Sequence, residues 1–559
     1  MPLADAPEPN LHASPADQQG SGAAVPDLLQ SRPASRLPLD ELKTSIALAF
    51  AGGTGGGLFS DALGRAQHAP SCWEPKSFTG DLFLQQFVQR CFQIRVGSRS
   101  LLPVVDHLTR ALAAPPSNAA CVEFRRGCVA ELIARPELRG QLERLYLLLC
   151  QLRSLLEGTS GANDWDANRR RLDVLKLIKD VLDNMAVGFP TATSGLTRLS
   201  QFGRRVQQSE GYTALADLLS YDENLATVSL KVGVGADGRI RGVALESVEE
   251  NRQNPFVNSP LRRWLVRLEL FARGYRFGEG EVMAHLIDAV YEGIEDELVH
   301  FVQLFGDVEF YLGALSFKDL AGAAGLDVCL PELVPAEQPR RLIALFNPLL
   351  LALEAEVVPC DLELDRHDVT VLITGPNSGG KTRLLQSLGL SQLLAQGGLF
   401  IPAREGSLAL TRGLVVSLIQ ETKADQAEGR LGMELLRIRE LFQQLPPGAM
   451  VILDELCSGT NPSEGEEIFE LVVRMLIRLK PQVFITTHFL SFAARLNQSK
   501  RIPELRFLQV QLGPDQQPTY QFTPGVAETS LAGQAAARLG VTATQLTELI
   551  DRSIARTQS

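Results

Sequence analysis

The sequence predicts two folded parts, a mostly α-helical N-terminal half with one inserted β-hairpin and a C-terminal α/β domain with a mostly parallel sheet. The 559 residues exceed the roughly 250–300 at which a single core stops growing. From about residue 81 to 315, apolar residues recur every three or four positions, which is the helical spacing. After about residue 340, short β-rich apolar runs alternate with helical stretches, as in a parallel α/β sheet.

The predicted boundaries are a tail over residues 1–36, a helical domain over 37–335 and an α/β domain over 336–559. The tail has six prolines and no aromatic residue, so it cannot bury enough apolar area to offset chain entropy, and we expect it to be disordered. The Gly-rich stretch over 51–57 is predicted to be a turn. Alternating apolar residues near 228–245, with Asp237-Gly238 between them, predict the hairpin.

Composition excludes several classes of protein. The net charge of −11 gives no global basic footprint, so any DNA contact must use local patches. The eight cysteines contain no Cys-x-x-Cys pair, which argues against structural zinc and favours reduced thiols in the cytoplasm. The N-terminus has no secretory signal pattern. The longest apolar stretch, 342–358, contains proline, asparagine and two glutamates, so we predict neither a membrane-spanning helix nor a membrane partner.

A phosphate-binding loop is predicted between an apolar strand and a helix. The strand covers Val369–Thr374 and the helix Thr382–Ala395, and a loop in this context matches G-x-x-x-x-G-K-[ST]. Such a loop points backbone N–H groups at phosphate oxygens, its lysine reaches the β- and γ-phosphates, and its hydroxyl binds Mg²⁺. A chance Gly-rich turn is the alternative. The candidate ATP-binding residues are Gly375, Pro376, Asn377, Ser378, Gly379, Gly380, Lys381 and Thr382.

Two carboxylates follow the buried strand Met450–Leu453. Ligands bind at the carboxyl ends of strands in open α/β sheets. We therefore predict that Asp454, with Thr382, holds magnesium, and that Glu455 orients or deprotonates the attacking water. Taken alone, an Asp-Glu pair after an apolar run is more often a solvated helix start, and it is the phosphate loop that favours the catalytic interpretation.

A third strand, Val483–Thr486, leads to His488. A lone histidine after a strand is often structural. Because this strand is predicted to end at the same sheet edge as the other motifs, His488 is a candidate for contact with the γ-phosphate. The predicted catalytic set is Lys381, Glu455 and His488.

These motifs, in order and spacing, resemble the ATPase domain of MutS-type DNA mismatch repair proteins over about residues 340–559. The phosphate loop, the segment Asp454–Gly465, the Thr487-His488 pair and the late Pro524–Ser530 carry the resemblance. Residues 458–465 look closest to the branch without a mismatch-reading N-terminal domain.

The resemblance implies an ABC-like ATPase that uses ATP and Mg²⁺ in composite sites between two protomers. It also implies long lever helices and a β-rich clamp on DNA, with which the helical half and its hairpin are compatible. A terminal nuclease domain of the kind often found in the related branch is not expected here. The only Phe-x-Glu tripeptide, Phe277-Gly278-Glu279, is not expected to be a mismatch wedge.

Two segments depart from the family pattern. A Ser-Thr pair normally opens the helix that meets the partner's γ-phosphate, whereas residues 428–434 contain no hydroxyl; the Gly429 N–H or Arg430 could substitute. The Arg-His-Pro segment before the domain is replaced by Phe346-Asn347-Pro348, so the adenine contacts are left unassigned.

Local basic residues permit DNA binding without demonstrating it, because a solvated helix face or hairpin edge accounts more readily for each one taken singly. The first hypothesis is an ATP-dependent, dimeric MutS-like protein that binds mismatched or structured DNA in repair or recombination. The alternative is an ABC-type regulatory ATPase that acts on a protein partner without DNA. The candidate DNA contacts are Arg169, Arg170, Arg171, Arg204, Arg205, Lys231, Arg239, Arg241, Arg262 and Arg263.

Overall fold

The structure is a computed structural model of the chain. It describes residues 25–158, 167–223, 227–234, 240–249, 279–353, 356–418, 430–457, 461–528 and 541–558. Within these ranges the N-terminal half is helical and the C-terminal part is a mixed α/β domain, as the sequence predicts.

The N-terminal half consists of eleven described helices and two small hairpins. Its helices are α1 (Leu39–Gly52), α2 (Leu58–Gly64), α3 (Leu84–Cys91), α4 (Val105–Ala113), α5 (Ala119–Ala134), α6 (Pro136–Glu157), α7 (Ala167–Gly188), α8 (Thr197–Gln207), α9 (Glu210–Glu223), α10 (Glu279–Glu292) and α11 (Glu295–Ala323). The predicted Gly-rich turn joins α1 to α2.

The two hairpins differ in how visible they were in the sequence. The predicted one is present as β3 (Thr227–Val234) and β4 (Ile240–Glu249), which pair antiparallel. Its turn, including Asp237 and Gly238, lies outside the described residues. The other, β1 (Ile94–Val96) with β2 (Arg99–Leu101), was not predicted because three-residue strands leave too short an alternating pattern.

Helix α11 is the central helix of the helical core. Among the residues described, it is the one helix long and apolar enough to cross a membrane by length and composition alone. In the fold, 94% of its apolar window is buried. It also carries Gln303, Asp307 and Glu309 in the interior, each with hydrogen-bond partners. A buried core helix accounts for its composition.

The prediction of a disordered tail to residue 36 is wrong for residues 25–36. Leu28 and Leu29 are fully buried, and Arg36 forms an ion pair with the buried Asp307 of α11. Arg198 of α8 donates hydrogen bonds to the carbonyls of Asp27, Gln30 and Ser31. These tertiary contacts outweigh the local composition, which was averaged over the whole N-terminal stretch. Residues 1–24 lie outside the described residues.

The C-terminal domain contains a six-stranded sheet with the order β10-β11-β12-β8-β13-β14. All neighbours pair in parallel except β13 and β14, which are antiparallel. The central strands are buried along their whole length, as expected for a sheet covered on both faces. The strands are β8 (Thr370–Thr374), β10 (Leu414–Ser417), β11 (Met450–Leu453), β12 (Gln482–Thr486), β13 (Leu505–Leu512) and β14 (Pro518–Pro524).

Four described helices each follow a strand of this sheet: α12 (Lys381–Gln396), α13 (Arg430–Gln444), α14 (Pro462–Ile477) and α15 (Leu490–Ser499). The last described helix of the chain is α16 (Ala543–Gln558). A second sheet, in the order β5-β9-β6-β7, was not predicted. It comprises β5 (Glu332–Leu333), β6 (Arg340–Leu345), β7 (Cys360–Leu364) and β9 (Glu405–Leu408).

The helical half packs directly on the α/β domain. Three groups of the segment 73–81 hydrogen-bond to backbone groups along β10, the edge strand of the six-stranded sheet. Trp73 Nε1 donates to the Thr411 carbonyl at 3.2 Å, Ser77 Oγ to the Leu414 carbonyl at 2.7 Å, and Asp81 Oδ1 accepts from Leu418 N–H at 2.7 Å. The segment therefore covers an edge that would otherwise be unpaired.

Helix α12 is the second point of contact between the two parts. A Cβ built at Gly389 would lie 2.7 Å from Leu82 Cδ2, so this glycine allows the helix to approach the helical half closely. At its C-terminal end, Gln396 Nε2 donates to the Pro116 carbonyl. From Leu384 onward every residue of α12 is buried. The helix that begins at the predicted phosphate loop is thus enclosed by both halves.

Candidate nucleotide-binding site

The predicted phosphate loop joins β8 to α12, as its motif requires. Residues 377–379 form one short 3-10 turn, and Gly380 then adopts φ 82° directly before α12 begins at Lys381. This left-handed conformation favours glycine. The loop therefore presents a helix N-terminus, whose free N–H groups and partial positive charge suit a phosphate anion.

Lys381 lies within the loop. Its Nζ donates to the carbonyls of Gly375 and Pro376 at 2.9 and 3.0 Å, and the residue is 3% exposed. Burial lowers the pKa of the ammonium, while the nearby Glu455 and Asp454 carboxylates oppose that shift. The loop thus holds a buried cation, and the Asp454 and Glu455 carboxylates offset part of the cost of burying its charge.

Thr382 and Asp454 meet across the sheet edge. Thr382 Oγ1 donates to Asp454 Oδ2 at 2.6 Å. Asp454 follows β11, which reaches the edge two strands from β8. The pair combines a hydroxyl and a carboxylate oxygen, which are the ligand types that Mg²⁺ prefers when phosphates and water complete its shell. Within the described parts of the chain, no cluster of three or more His, Cys, Asp or Glu side chains could hold a metal by itself.

Glu455 and His488 are also brought together. His488 Nε2 and Glu455 Oε1 are 2.5 Å apart, and both side chains are partly exposed. Glu455 has φ 54°, a left-handed conformation that costs a non-glycine residue about 1 kcal/mol. The site therefore contains a partly exposed carboxylate that is hydrogen-bonded to an imidazole.

The late motif packs against the strand that leads into the phosphate loop. Thr374, the last residue of β8, donates from Oγ1 to the Leu508 carbonyl at 3.2 Å and accepts from Ala527 N–H at 2.9 Å. This contact links residues 524–528 to the loop. Residues 529–540 lie outside the described residues.

Two residues at this site were missed by sequence reasoning. Thr486 ends β12; its hydroxyl donates to the Asp454 carboxylate and accepts from the Glu455 backbone N–H. The sequence signal that could have identified it is its position two residues before His488. Tyr520 on β14 places its ring near the loop, because a Cβ built at Gly380 would lie 3.2 Å from Tyr520 Cδ1. An isolated tyrosine in a C-terminal hairpin gives no sequence signal for this contact.

Asn347, at the segment that departs from the family pattern, is buried. Its Nδ2 donates to the Arg383 carbonyl at 3.2 Å and to Gln386 Oε1 at 3.0 Å, both on α12. It thus braces the helix behind the loop. Of the altered 428–434 stretch, Glu428 and Gly429 lie outside the described residues, and Arg430 begins α13. Phe277 and Gly278 also lie outside them.

The structure contradicts part of the predicted basic surface. Arg170 donates to the carbonyls of Ala49, Phe50 and Leu155, and Arg171 pairs with Asp288. Arg169 pairs with Asp173. Arg170 and Arg171 thus join α7 to other helices, whereas the Arg169–Asp173 pair lies on the exposed face of α7 itself. Arg204 is exposed and Arg205 lies over Phe202. Lys231, Arg239, Arg241, Arg262 and Arg263 have side chains outside the described set.

Fold and site together define a P-loop domain of the ATPase type. Residues 371–555 match the family model for MutS domain V. The resemblance predicted from the motifs is therefore confirmed.

Relatives in several bacteria carry the same name, Endonuclease MutS2. The protein of Streptococcus mutans is 32% identical over 241 residues, which is 43% of this chain and 29% of the relative. That of Thermus thermophilus is 31% identical over 233 residues, 41% of this chain and 30% of the relative. That of Pelotomaculum thermopropionicum is 35% identical over 198 residues, 35% and 24% respectively.

These matches agree with the predicted branch, the one without a mismatch-reading N-terminal domain. In each of these three relatives the match covers less than a third of the relative's length.

Proposed function

We propose that this protein is a Mg²⁺-dependent ATPase that works as a dimeric, DNA-binding switch on mismatched or structured DNA in repair or recombination. The observation that carries the proposal is the convergence of Lys381, Thr382, Asp454, Glu455 and His488 at the carboxyl ends of three adjacent parallel strands. That placement is where open α/β sheets bind ligands.

Each side chain has a distinct task in the proposed reaction. The loop N–H groups and Lys381 bind the ATP phosphates, and Lys381 balances their charge. Thr382 and Asp454 would hold Mg²⁺, which supplies charge neutralisation on the phosphate oxygens when bound. Glu455 orients the attacking water and accepts its proton. His488, hydrogen-bonded to Glu455, fixes the carboxylate direction beside the γ-phosphate.

The DNA and dimer parts of the proposal rest on the resemblance to the MutS family. MutS-type proteins act on DNA, and the relatives are named Endonuclease MutS2. In this proposal the long helices are levers, the β3–β4 hairpin is a reduced clamp, and two phosphate sites face each other between protomers. No disulfide joins the cysteines in the described part of the chain, and a cytoplasmic location is part of this proposal.

The second candidate is a regulatory ATPase that acts on a protein partner without DNA. It is favoured by the internal use of Arg170 and Arg171 and by the net charge of −11. Both candidates share the nucleotide site, so only the ligand that stimulates turnover separates them.

The test is ATP hydrolysis by wild type and Glu455→Gln, each with homoduplex, mismatched and branched DNA at fixed salt. We expect wild type to hydrolyse ATP faster with at least one DNA. Glu455→Gln should bind ATP but lose turnover by roughly 10²–10⁴-fold, the usual contribution of a general base. With ATP, the variant should also elute as a dimer whose mass is confirmed by light scattering.

Glu470→Gln is the matched control, because Glu470 pairs with Arg474 on the surface of α14 and should leave turnover unchanged. Normal hydrolysis by Glu455→Gln would refute the base assignment. Hydrolysis that no DNA stimulates would transfer the proposal to the protein-directed switch.

A further inference from the structure

Thr486 lies between the two carboxylate positions of the site. It is the last residue of β12 and is fully buried. Its Oγ1 donates a hydrogen bond to Asp454 Oδ1 and accepts one from Glu455 N–H at 2.8 Å. One hydroxyl therefore ties β12 to the two residues that follow β11, Asp454 and Glu455.

The position of Glu455 depends on contacts from β12 at two points. Its backbone N–H is held by Thr486, and its carboxylate by His488 two residues further on. The left-handed φ of 54° is unfavourable for glutamate and persists only where neighbouring groups enforce it. The partly buried Glu455 N–H also has Thr486 as its hydrogen-bond acceptor.

Asp454 is likewise held from two sides. Thr486 donates to Oδ1, and Thr382 of the phosphate-loop helix donates to Oδ2 at 2.6 Å. With Oδ1 engaged, Oδ2 is the oxygen directed at the loop. A continuous series of hydrogen bonds thus runs from Thr382 through Asp454 and Thr486 to the Glu455 backbone.

We propose that Thr486 is a positioning residue for ATP hydrolysis: its hydroxyl fixes the left-handed backbone of Glu455 and the orientation of Asp454, so that base and metal-holding oxygen keep one relative geometry. This inference rests on the proposed function. It assigns Thr486 no contact with substrate, so it should act on turnover rather than on ATP binding, which belongs to the loop and Lys381.

The experiment compares Thr486→Val, which keeps the shape and removes the hydroxyl, with Thr486→Ser, which keeps the hydroxyl. We expect Thr486→Val to lower kcat at least tenfold with a KM for ATP within about threefold of wild type. Thr486→Ser should restore most of kcat. Half-maximal turnover of Thr486→Val should also require more Mg²⁺, because Asp454 is less constrained.

A second measurement does not depend on turnover. Hydrogen exchange should be faster at the Glu455 amide in Thr486→Val than in wild type and Thr486→Ser. Thr411→Val is the matched control, because Thr411 is also buried in this domain and its Oγ1 has no hydrogen-bond partner among the described residues. Thr411→Val should match wild type in kcat and in exchange at Glu455.

The outcomes separate this inference from the proposed function. Wild-type kcat and unchanged Glu455 exchange in Thr486→Val would overturn the positioning role, as would equal loss of kcat in Thr486→Val and Thr486→Ser. Wild-type chain without ATPase activity would refute the proposed function; the exchange measurement would still decide whether Thr486 holds Glu455. If Thr486→Val fails to fold, Thr486→Ala replaces it in the same comparison.

Discussion

Tyr520 places an aromatic ring beside the phosphate loop, against Gly380. Tyr520 is 45% exposed and has φ 60°, which is an unfavourable backbone conformation for a residue other than glycine. We predict that Tyr520 stacks on the adenine of ATP. Stacking of a base on an aromatic side chain is worth about 1–3 kcal/mol, so Tyr520→Ala should bind ATP roughly tenfold more weakly in a calorimetric titration.

Tyr520→Phe is the control for this prediction, because it keeps the ring and should retain ATP affinity. Inorganic triphosphate lacks the base, and its affinity should be equal in wild type and Tyr520→Ala. Equal weakening of ATP and triphosphate in Tyr520→Ala would mean that the ring supports the loop rather than the adenine.

Glu309 is a residue-scale source of pH dependence in the helical core. It is fully buried in α11, where it accepts from Val104 N–H at 2.9 Å and from Tyr146 Oη at 3.0 Å. Burial raises its pKa to about 7. Because the folded pKa is raised, the stability linked to this group is present below about pH 4.3, the unfolded value, and is lost as pH rises to about 7.

We therefore expect Glu309→Gln to reduce the loss of folding stability between about pH 4.5 and 7, seen as a smaller fall in melting temperature over that range. Glutamine can accept from Val104 and donate to the Tyr146 oxygen. As a control, Glu440→Gln, at an exposed position of α13, should leave the fall in melting temperature as it is in wild type. An identical slope in wild type and Glu309→Gln would contradict the raised pKa.

At this scale, residues within a contiguous motif could be predicted, and residues that depend on distant pairing could not. The loop, Asp454, Glu455 and His488 each follow a strand, and strand ends of a parallel sheet meet at one edge. Tyr520 reaches the loop only because β14 lies beyond β13 in the sheet. The buried set of Asp27, Arg36 and Asp307 joins positions about 270 residues apart, which no local pattern reveals.

At the scale of elements, the segment 73–81 covers β10, and Asp81 Oδ1 accepts from Leu418 N–H at the strand's end. We predict that Asp81→Ala loosens this end of β10, since a hydrogen bond to a charged group contributes about 1.5–3 kcal/mol. Hydrogen exchange at the Leu418 amide should be faster in Asp81→Ala, while ATP binding at the distant loop stays near wild type.

Glu74→Ala provides the comparison for Asp81→Ala. Glu74 lies in the same segment but its carboxylate accepts from Lys76 N–H within the segment, so exchange at Leu418 should not change. Unchanged exchange at Leu418 in Asp81→Ala would show that other contacts of the segment hold the strand end.

Strands and helices were predicted correctly where the apolar pattern is long and continuous. They were missed where strands are short or where a sheet is assembled from strands far apart in the chain. The strands β8, β11 and β12 are continuous apolar runs buried on both faces, and the sequence shows them directly. The second sheet assembles β5 with β9 and β6 with β7 from pieces up to about 75 residues apart, one of them two residues long. Its order depends on tertiary pairing rather than on any local turn.

For the whole molecule, the helical and α/β parts share buried surface rather than meeting through a linker. One continuous hydrophobic cluster extends from Leu28 to Leu508, and Leu82 packs against α12 at Gly389. Length and composition predicted two parts, but not that the phosphate-loop helix would be enclosed by both. The phosphate-loop helix therefore forms part of the packing of the helical half.

This shared core predicts that the full chain unfolds without a stable α/β intermediate. Heating should raise hydrogen exchange in α6 and in β8 together. An isolated fragment 336–559 should melt at a lower temperature than the full chain, because the faces of α12 and β10 that contact the helical half become exposed.

Leu82→Ala, which opens a cavity at the junction, should lower the protection of both α6 and β8 against exchange, by about 2–5 kcal/mol. Leu353→Ala, at a position 51% exposed, should lower neither. Two separate transitions in the full chain, or a fragment as stable as the whole, would show that the two parts fold independently.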